Sequence, residues 1–186
     1  MSVRSSAASP AAKRTARFGW LATLAAACSA LVYVNALDNP FVYDDFRTVL
    51  NNPSIEDVWA VTAIIYREMT RPVVNFTYAL DRAIFGGSLL GYHVTNVLLH
   101  VVNVLLLFHI ARRTVEDQQA RRRAADARPS LKTTVVAFTA ASTFGLHPIM
   151  TEAVGYISGR SEVLCGVFFL SALLAARRWL LGAGRV

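Results

Sequence analysis

The chain has 186 residues, 54% of them hydrophobic and only 17% charged, below the roughly 25% of a soluble globular chain. Its net charge is +7, but the basic residues cluster beside apolar runs and do not interleave with aromatics on one patch, which excludes a nucleic-acid surface and points to a bilayer. Cys28 and Cys165 both lie inside apolar segments without metal-type spacing, and read as small apolar fillers.

Residues 1–17 are small, polar and basic, as in a cytoplasmic tail. Residues 18–37 are apolar and uncharged, about 30 Å as a helix, which is enough to cross a bilayer. That length and the poor cleavage site at Asn35-Ala-Leu-Asp38 favour a retained span over a cleaved signal peptide. Residues 38–91 mix seven acids with four arginines and many apolar side chains, and predict an outer loop with short amphipathic helices near 55–68 and 73–85. A second span is predicted over 92–111 and a basic cytoplasmic loop over 112–132. A third span over 133–147 and a fourth over 163–178 enclose a second outer segment, 148–162. Both are short for a crossing and must extend into neighbouring sequence or sit in a thinned region. Residues 179–186 end the chain on the cytoplasmic side. The expected fold is all-α: a polytopic membrane protein with four transmembrane helices.

Charge sets the predicted orientation. The tail, the 112–132 loop and the C-terminal end hold fourteen of the nineteen basic residues, whereas the two outer segments hold nine of the twelve acids. The positive-inside rule then places both termini in the cytoplasm and the acidic segments outside.

Several residues are candidates for chemistry. Asp44 and Asp45 lie a few residues beyond the first span. Adjacent carboxylates there either ionise differently, one serving as a base for an acceptor hydroxyl, or form a solvated turn or helix cap. Arg71 either binds a phosphate or pairs with Glu68 or Asp81. His93, Asn96, His100 and Asn103 share one face of the second span over about 15 Å, so this face looks into a bundle or a wet cavity. Two histidines seven residues apart on one helix do not indicate a metal site. Beyond His147 and Pro148, a helix would carry Thr151, Glu152 and Tyr156 early. Glu152 and Arg160 either address an anionic lipid headgroup or neutralise each other. Asn75-Phe-Thr77 matches the glycosylation acceptor triplet.

Taken in order, Phe41-Val-Tyr-Asp-Asp45, Asn51-Asn-Pro53, Tyr66 with Arg71-Pro72, Tyr92-His93-Val-Thr-Asn96 with His100, His147-Pro-Ile-Met-Thr-Glu152-Ala-Val154 and Gly159-Arg-Ser-Glu162 form a pattern. It resembles the N-terminal membrane region of the transmembrane and tetratricopeptide-repeat O-mannosyltransferases and their bacterial homologues. The resemblance implies a partial GT-C architecture, a polyprenyl- or dolichyl-phosphate sugar donor, usually mannose, and a protein hydroxyl acceptor on the non-cytoplasmic face. It implies that Asp44 or Asp45, with Asp44 favoured, is the catalytic base. Arg71, His93, His147, Glu152 and Arg160 then contact donor or acceptor, and no cofactor is required. The chain is shorter than members of that class and shows no 34-residue repeat, so the expectation is a fragment inactive alone. Alanine and arginine richness suggests a bacterial inner membrane with a periplasmic site, the endoplasmic reticulum being the runner-up. The competing readings are a non-enzymatic membrane scaffold and a transporter fragment, the latter without the expected inverted repeats.

Overall fold

The computed structural model describes residues 19–122 and 131–182, and every regular element among them is helical. The tail 1–17, residues 123–130 of the basic loop and residues 183–186 lie outside the described residues. In chain order the α-helices are α1 (Trp20–Val32), α2 (Val61–Arg67), α3 (Pro72–Phe85), α4 (Leu89–Arg122), α5 (Leu131–Gly145), α6 (Met150–Gly155) and α7 (Arg160–Gly182). Short 3₁₀ turns follow α1 at Val34–Asp38 and precede α2 at Pro53–Ile55, and a π-turn covers Phe46–Leu50.

Among the described residues, three segments are long and apolar enough to cross a membrane: Trp20–Asp38, Leu89–Ala120 and Arg160–Leu181. The third predicted span corresponds to α5, whose 15 residues make about 22 Å of helix, short of that length. Two helices outrun their apolar runs. In α4 the sequence after Ala111 is rich in helix formers, and Arg112 pairs with Glu116 one turn on at 2.9 Å, so the helix continues through the charged stretch. In α7 the polar residues Arg160, Ser161 and Glu162 supply the first turn, where a carboxylate suits the positive helix end. Conversely, α2 starts later than predicted. Asp57 accepts a hydrogen bond from the Trp59 N–H at 2.9 Å, a local turn that competes with helix until Val61.

The central helix is α4, which packs against α1, α5 and α7. At one end Leu21 and Ala25 of α1, Val104 and Phe108 of α4, and Ala137 and Ala141 of α5 form a buried cluster. At the other end Tyr33 meets Ala153, Val154 and Val163. A separate core under the first loop joins Val49, Ile55, Ile64, Tyr78, Tyr92 and Ile157.

Two polar ties set a ruler along the bundle. Asn96 of α4 accepts from Arg160 of α7, and Asp117 of α4 accepts from Arg177 of α7. They are about 32 Å apart along α4 and 26 Å along α7, close to the hydrocarbon thickness of a bilayer. From Leu89 to Ala111 and from Val163 to Ala176 there is no Asp, Glu, Lys or Arg.

Small residues let the helices approach. A Cβ added at Gly145 would collide with Ser29 Oγ of α1 and Val104 Cγ2 of α4, so three helices close on one glycine. Gly145→Val is therefore expected to destabilise by about 1–3 kcal/mol through overpacking. A lowered thermal unfolding temperature in detergent would show it, whereas an unchanged temperature would contradict this packing.

Candidate active site

The first loop separates its two carboxylates. Tyr43 has φ 44°, a left-handed backbone that costs a non-glycine residue about 1–2 kcal/mol. Immediately after this turn Asp44 is exposed, and its carboxylate has no hydrogen-bond or ion-pair partner among the described residues. Asp45 is fully buried. Its Oδ1 accepts from the Ser158 N–H at 2.7 Å and its Oδ2 from the Val42 N–H at 3.2 Å. Asp45 therefore clasps the first loop to the segment before α7, while the Asp44 carboxylate is left unpaired among the described residues. Spacing alone does not separate the two carboxylates; in the structure burial does.

On one side of this clasp lies a groove of about 670 Å³ whose walls include Pro40, Val42, Pro148, Thr151, Glu152 and Tyr156. Glu152 stands exposed in the first turn of α6. The Tyr156 ring meets that of Tyr43 edge-on, with centroids 6.5 Å apart, so the groove abuts the turn that presents Asp44. His147 is exposed and its Nδ1 accepts from the Ile149 N–H at 3.2 Å, which starts the turn leading into α6.

On the other side is a narrow cleft lined by Arg47, Arg67, Arg71, Glu68, Tyr78 and Ser158, among others. Arg47 bonds Glu68 at 3.0 Å across it. The Thr70 hydroxyl and the Arg47 guanidinium hold the Glu68 carboxyl below the ordinary range. Burial pushes the Tyr78 phenol well above its ordinary value. Neither partner weighed for Arg71 takes it, because Glu68 pairs with Arg47 and Asp81 with Arg160. Arg71 also heads a mostly apolar groove of about 340 Å³ that continues along α7 past Leu164 and Phe168. A charged fork above an apolar track suits a phosphate carrying a hydrocarbon chain.

The polar face of α4 is buried and spent on backbone carbonyls. His93 Nε2 is 3.0 Å from the Asn39 carbonyl and His100 Nε2 is 3.1 Å from that of Gly145. A carbonyl only accepts, so Nε2 carries the proton in both rings. Asn96 donates to the Tyr156 carbonyl at 2.7 Å and Asn103 to that of Val163 at 2.7 Å. The stripe joins α4 to four other segments, the helix-bonding role weighed for it, and His93 sits in this ladder away from the grooves' lining.

Arg160 is placed differently from the headgroup contact expected of it. It is fully buried, and the carboxylate it pairs with is Asp81, not Glu152. The Asp81 ion pair is 2.6 Å long; Nε donates to Asn96 Oδ1 at 2.8 Å and a terminal N–H to the Tyr92 carbonyl at 2.7 Å. The guanidinium also lies over the Tyr78 ring, 4.5 Å from its centroid. Buried charge is tolerated here because every face of the fork is engaged.

Sequence reasoning weighed Asp81 only as a partner of Arg71, placed Asn52 only within the Asn51-Asn-Pro53 motif, and gave no role to Ser158. Asn52 Oδ1 accepts from the Ser54 N–H and hydroxyl, and its Nδ2 donates to Asn75 Oδ1 at 2.8 Å. Asn51-Asn-Pro53 is thus a cap that ties the 3₁₀ turn to α3, and an asparagine just before Pro53 was its signal. Asn75 is itself buried, its Nδ2 donating to Ser54 Oγ and to the Ile64 carbonyl, so the glycosylation triplet is closed in the folded protein.

No family model matches the chain, and no solved structure matches it. Curated relatives do. A protein O-mannosyl-transferase of Caenorhabditis elegans is 30% identical over 159 residues, covering 78% of this chain and 21% of that protein. The protein O-mannosyl-transferase TMTC1 of Homo sapiens is 30% identical over 171 residues, 84% of this chain and 18% of that protein. TMTC4 of Homo sapiens is 27% identical over 173 residues, 83% of this chain and 22% of that protein. The chain spans about a fifth of the length of these curated relatives. Its sequence is that of a relative of the TMTC protein O-mannosyl-transferases.

Proposed function

We propose that the intact protein is a membrane glycosyltransferase of GT-C type that moves mannose from a polyprenyl- or dolichyl-phosphate donor to a protein hydroxyl. The observation that supports it most is the exposed, unpaired Asp44 beside the Tyr43 turn, which abuts the carboxylate-bearing groove, on a loop whose Arg47 and Thr48 line an arginine-rich cleft. In this reading the Ser or Thr acceptor enters the Glu152 groove, and Asp44 takes the hydroxyl proton. The oxygen attacks the anomeric carbon, the bond from that carbon to the phosphate oxygen breaks, and the lipid phosphate leaves with the electron pair. Arg71 and its neighbours meet the departing anion, which stabilises charge where it develops. Opening the cleft means parting an exposed Arg47–Glu68 pair, which costs only about 0–1 kcal/mol. The hydrocarbon chain follows Leu164 and Phe168 down α7. His93, His147 and Arg160 support the two grooves by positioning rather than by touching the donor.

In the same reading α5 is a fourth crossing, since it packs along α4 and α1, and α2 and α3 lie at the membrane surface. The acid-rich loops face the non-cytoplasmic side, opposite the arginine clusters. The relatives reported above are animal proteins, so the comparisons lend nothing to a bacterial inner membrane.

The test is a transfer assay on the intact protein with dolichyl-phosphate mannose and a Ser/Thr peptide. Mannosylated peptide is the expected product, and its absence with every polyprenyl-phosphate sugar tried would sink the reading. Arg71→Ala is expected to raise the donor KM about 10- to 100-fold, the worth of a charge-assisted contact. An unchanged donor KM would remove Arg71 from the phosphate.

A further inference from the structure

We propose that the end of the bundle opposite the acidic loops holds an anionic phospholipid by its headgroup, in a groove between α4 and α7. The groove measures about 930 Å³. Leu106 and Leu174 make its apolar wall, and Arg113, Arg177, Arg178 and Trp179 line its polar part.

The arginines divide by what already satisfies them. Arg177 is closed: it donates twice to Asp117, at 2.8 and 2.6 Å, a bidentate pair that fixes the local spacing of the two helices. Arg113 reaches Glu116 only at 3.3 Å, and that carboxylate is already engaged by Arg112 at 2.9 Å. Its side chain is 54% exposed. Arg178 is exposed, and among the described residues no carboxylate pairs with it. Two guanidinium forks therefore face the groove with spare donors and one surplus positive charge each.

Depth selects the ligand. The Asp117–Arg177 tie lies one hydrocarbon thickness from the Asn96–Arg160 tie, so these forks sit where headgroups of one leaflet lie. Trp179, 73% exposed, presents an indole at the same level, as interfacial tryptophans do. A soluble anion would gain nothing from the leucine wall beside the charges, whereas a phospholipid uses both, its phosphate on the forks and its chains along Leu106 and Leu174. The site is remote from Asp44 and does not depend on which reaction the protein performs.

The intact protein is purified in mild detergent and incubated with dioleoyl phosphatidylglycerol or dioleoyl phosphatidylcholine, and retained lipid is counted by native mass spectrometry. Phosphatidylglycerol is expected to be retained in preference. Arg113→Gln with Arg178→Gln is expected to lower its affinity about thirtyfold, near fivefold per arginine, without changing phosphatidylcholine retention. Equal retention of the two lipids by the unaltered protein overturns the proposal, as does an unaltered affinity in the double variant. So does the absence of any retained lipid, which would mean other parts of the protein fill the groove. The lipid comparison on the unaltered protein decides the matter even where the double variant does not purify. Mannose transfer is not the readout, so failure here leaves the proposed reaction standing, and the reverse.

Discussion

Asp44→Asn in the intact protein is expected to lower the transfer rate by about 10²–10⁴, the contribution of a positioned general base. The donor KM, the amount of protein in the membrane and its unfolding temperature are expected to stay as they were. The reason is local: the exposed Asp44 carboxylate makes no hydrogen bond or ion pair among the described residues, so its loss leaves no buried partner unsatisfied. Asp45→Asn is the contrasting variant. It keeps an oxygen acceptor for one of the two backbone N–H groups but presents an amide N–H to the other, so the clasp to Ser158 or to Val42 fails. Activity then falls together with stability. Were Asp44→Asn to transfer mannose at the unaltered rate, the base would have to be sought elsewhere, Glu152 first, since it lines the groove that abuts the Tyr43 turn.

The second large effect belongs to the buried ion pair. Arg160→Met strips Asp81 of its partner and is expected to cost about 3–5 kcal/mol, a large share of the 5–15 kcal/mol that a domain has in all. Asp81→Asn, which strands the guanidinium, is expected to cost a similar amount. The double change Asp81→Asn with Arg160→Met is expected to be far milder than the sum, because no charge is left buried without its counterion. Thermal unfolding of the four proteins in detergent measures the cycle. A double variant as poor as the two singles added together would mean that the charges do not act as a pair.

Much of this arrangement was visible in the letters, and the reasons are physical. Apolar runs mark the long helices because lipid permits nothing else, and the 3-4-3 spacing of His93, Asn96, His100 and Asn103 marks an inward face because polar groups cannot face hydrocarbon. Helix lengths were harder. The extension of α4 beyond Ala111 depends on helix propensity and an Arg112–Glu116 pair, signals that hydropathy does not carry. What lay out of reach were contacts between distant segments. Asp81 and Arg160 are on different helices, and Arg47 meets Arg67 and Arg71 in one cleft only after the first loop has folded back. The division of labour between Asp44 and Asp45 depends on a left-handed tyrosine, a conformation that no residue type at that position announces.

The ladder on α4 draws its acceptors from the main chain: Asn39, Gly145, Tyr156 and Val163 each contribute a carbonyl, not a side chain. Every amino acid offers that oxygen, so Asn39, Tyr156 and Val163 can be exchanged as far as this bonding goes, whereas the imidazoles and amides opposite them have no substitute. The specificity of the assembly is written on one strand of the agreement alone. Divergence can therefore run far through the surrounding loops while the same helices still find one another.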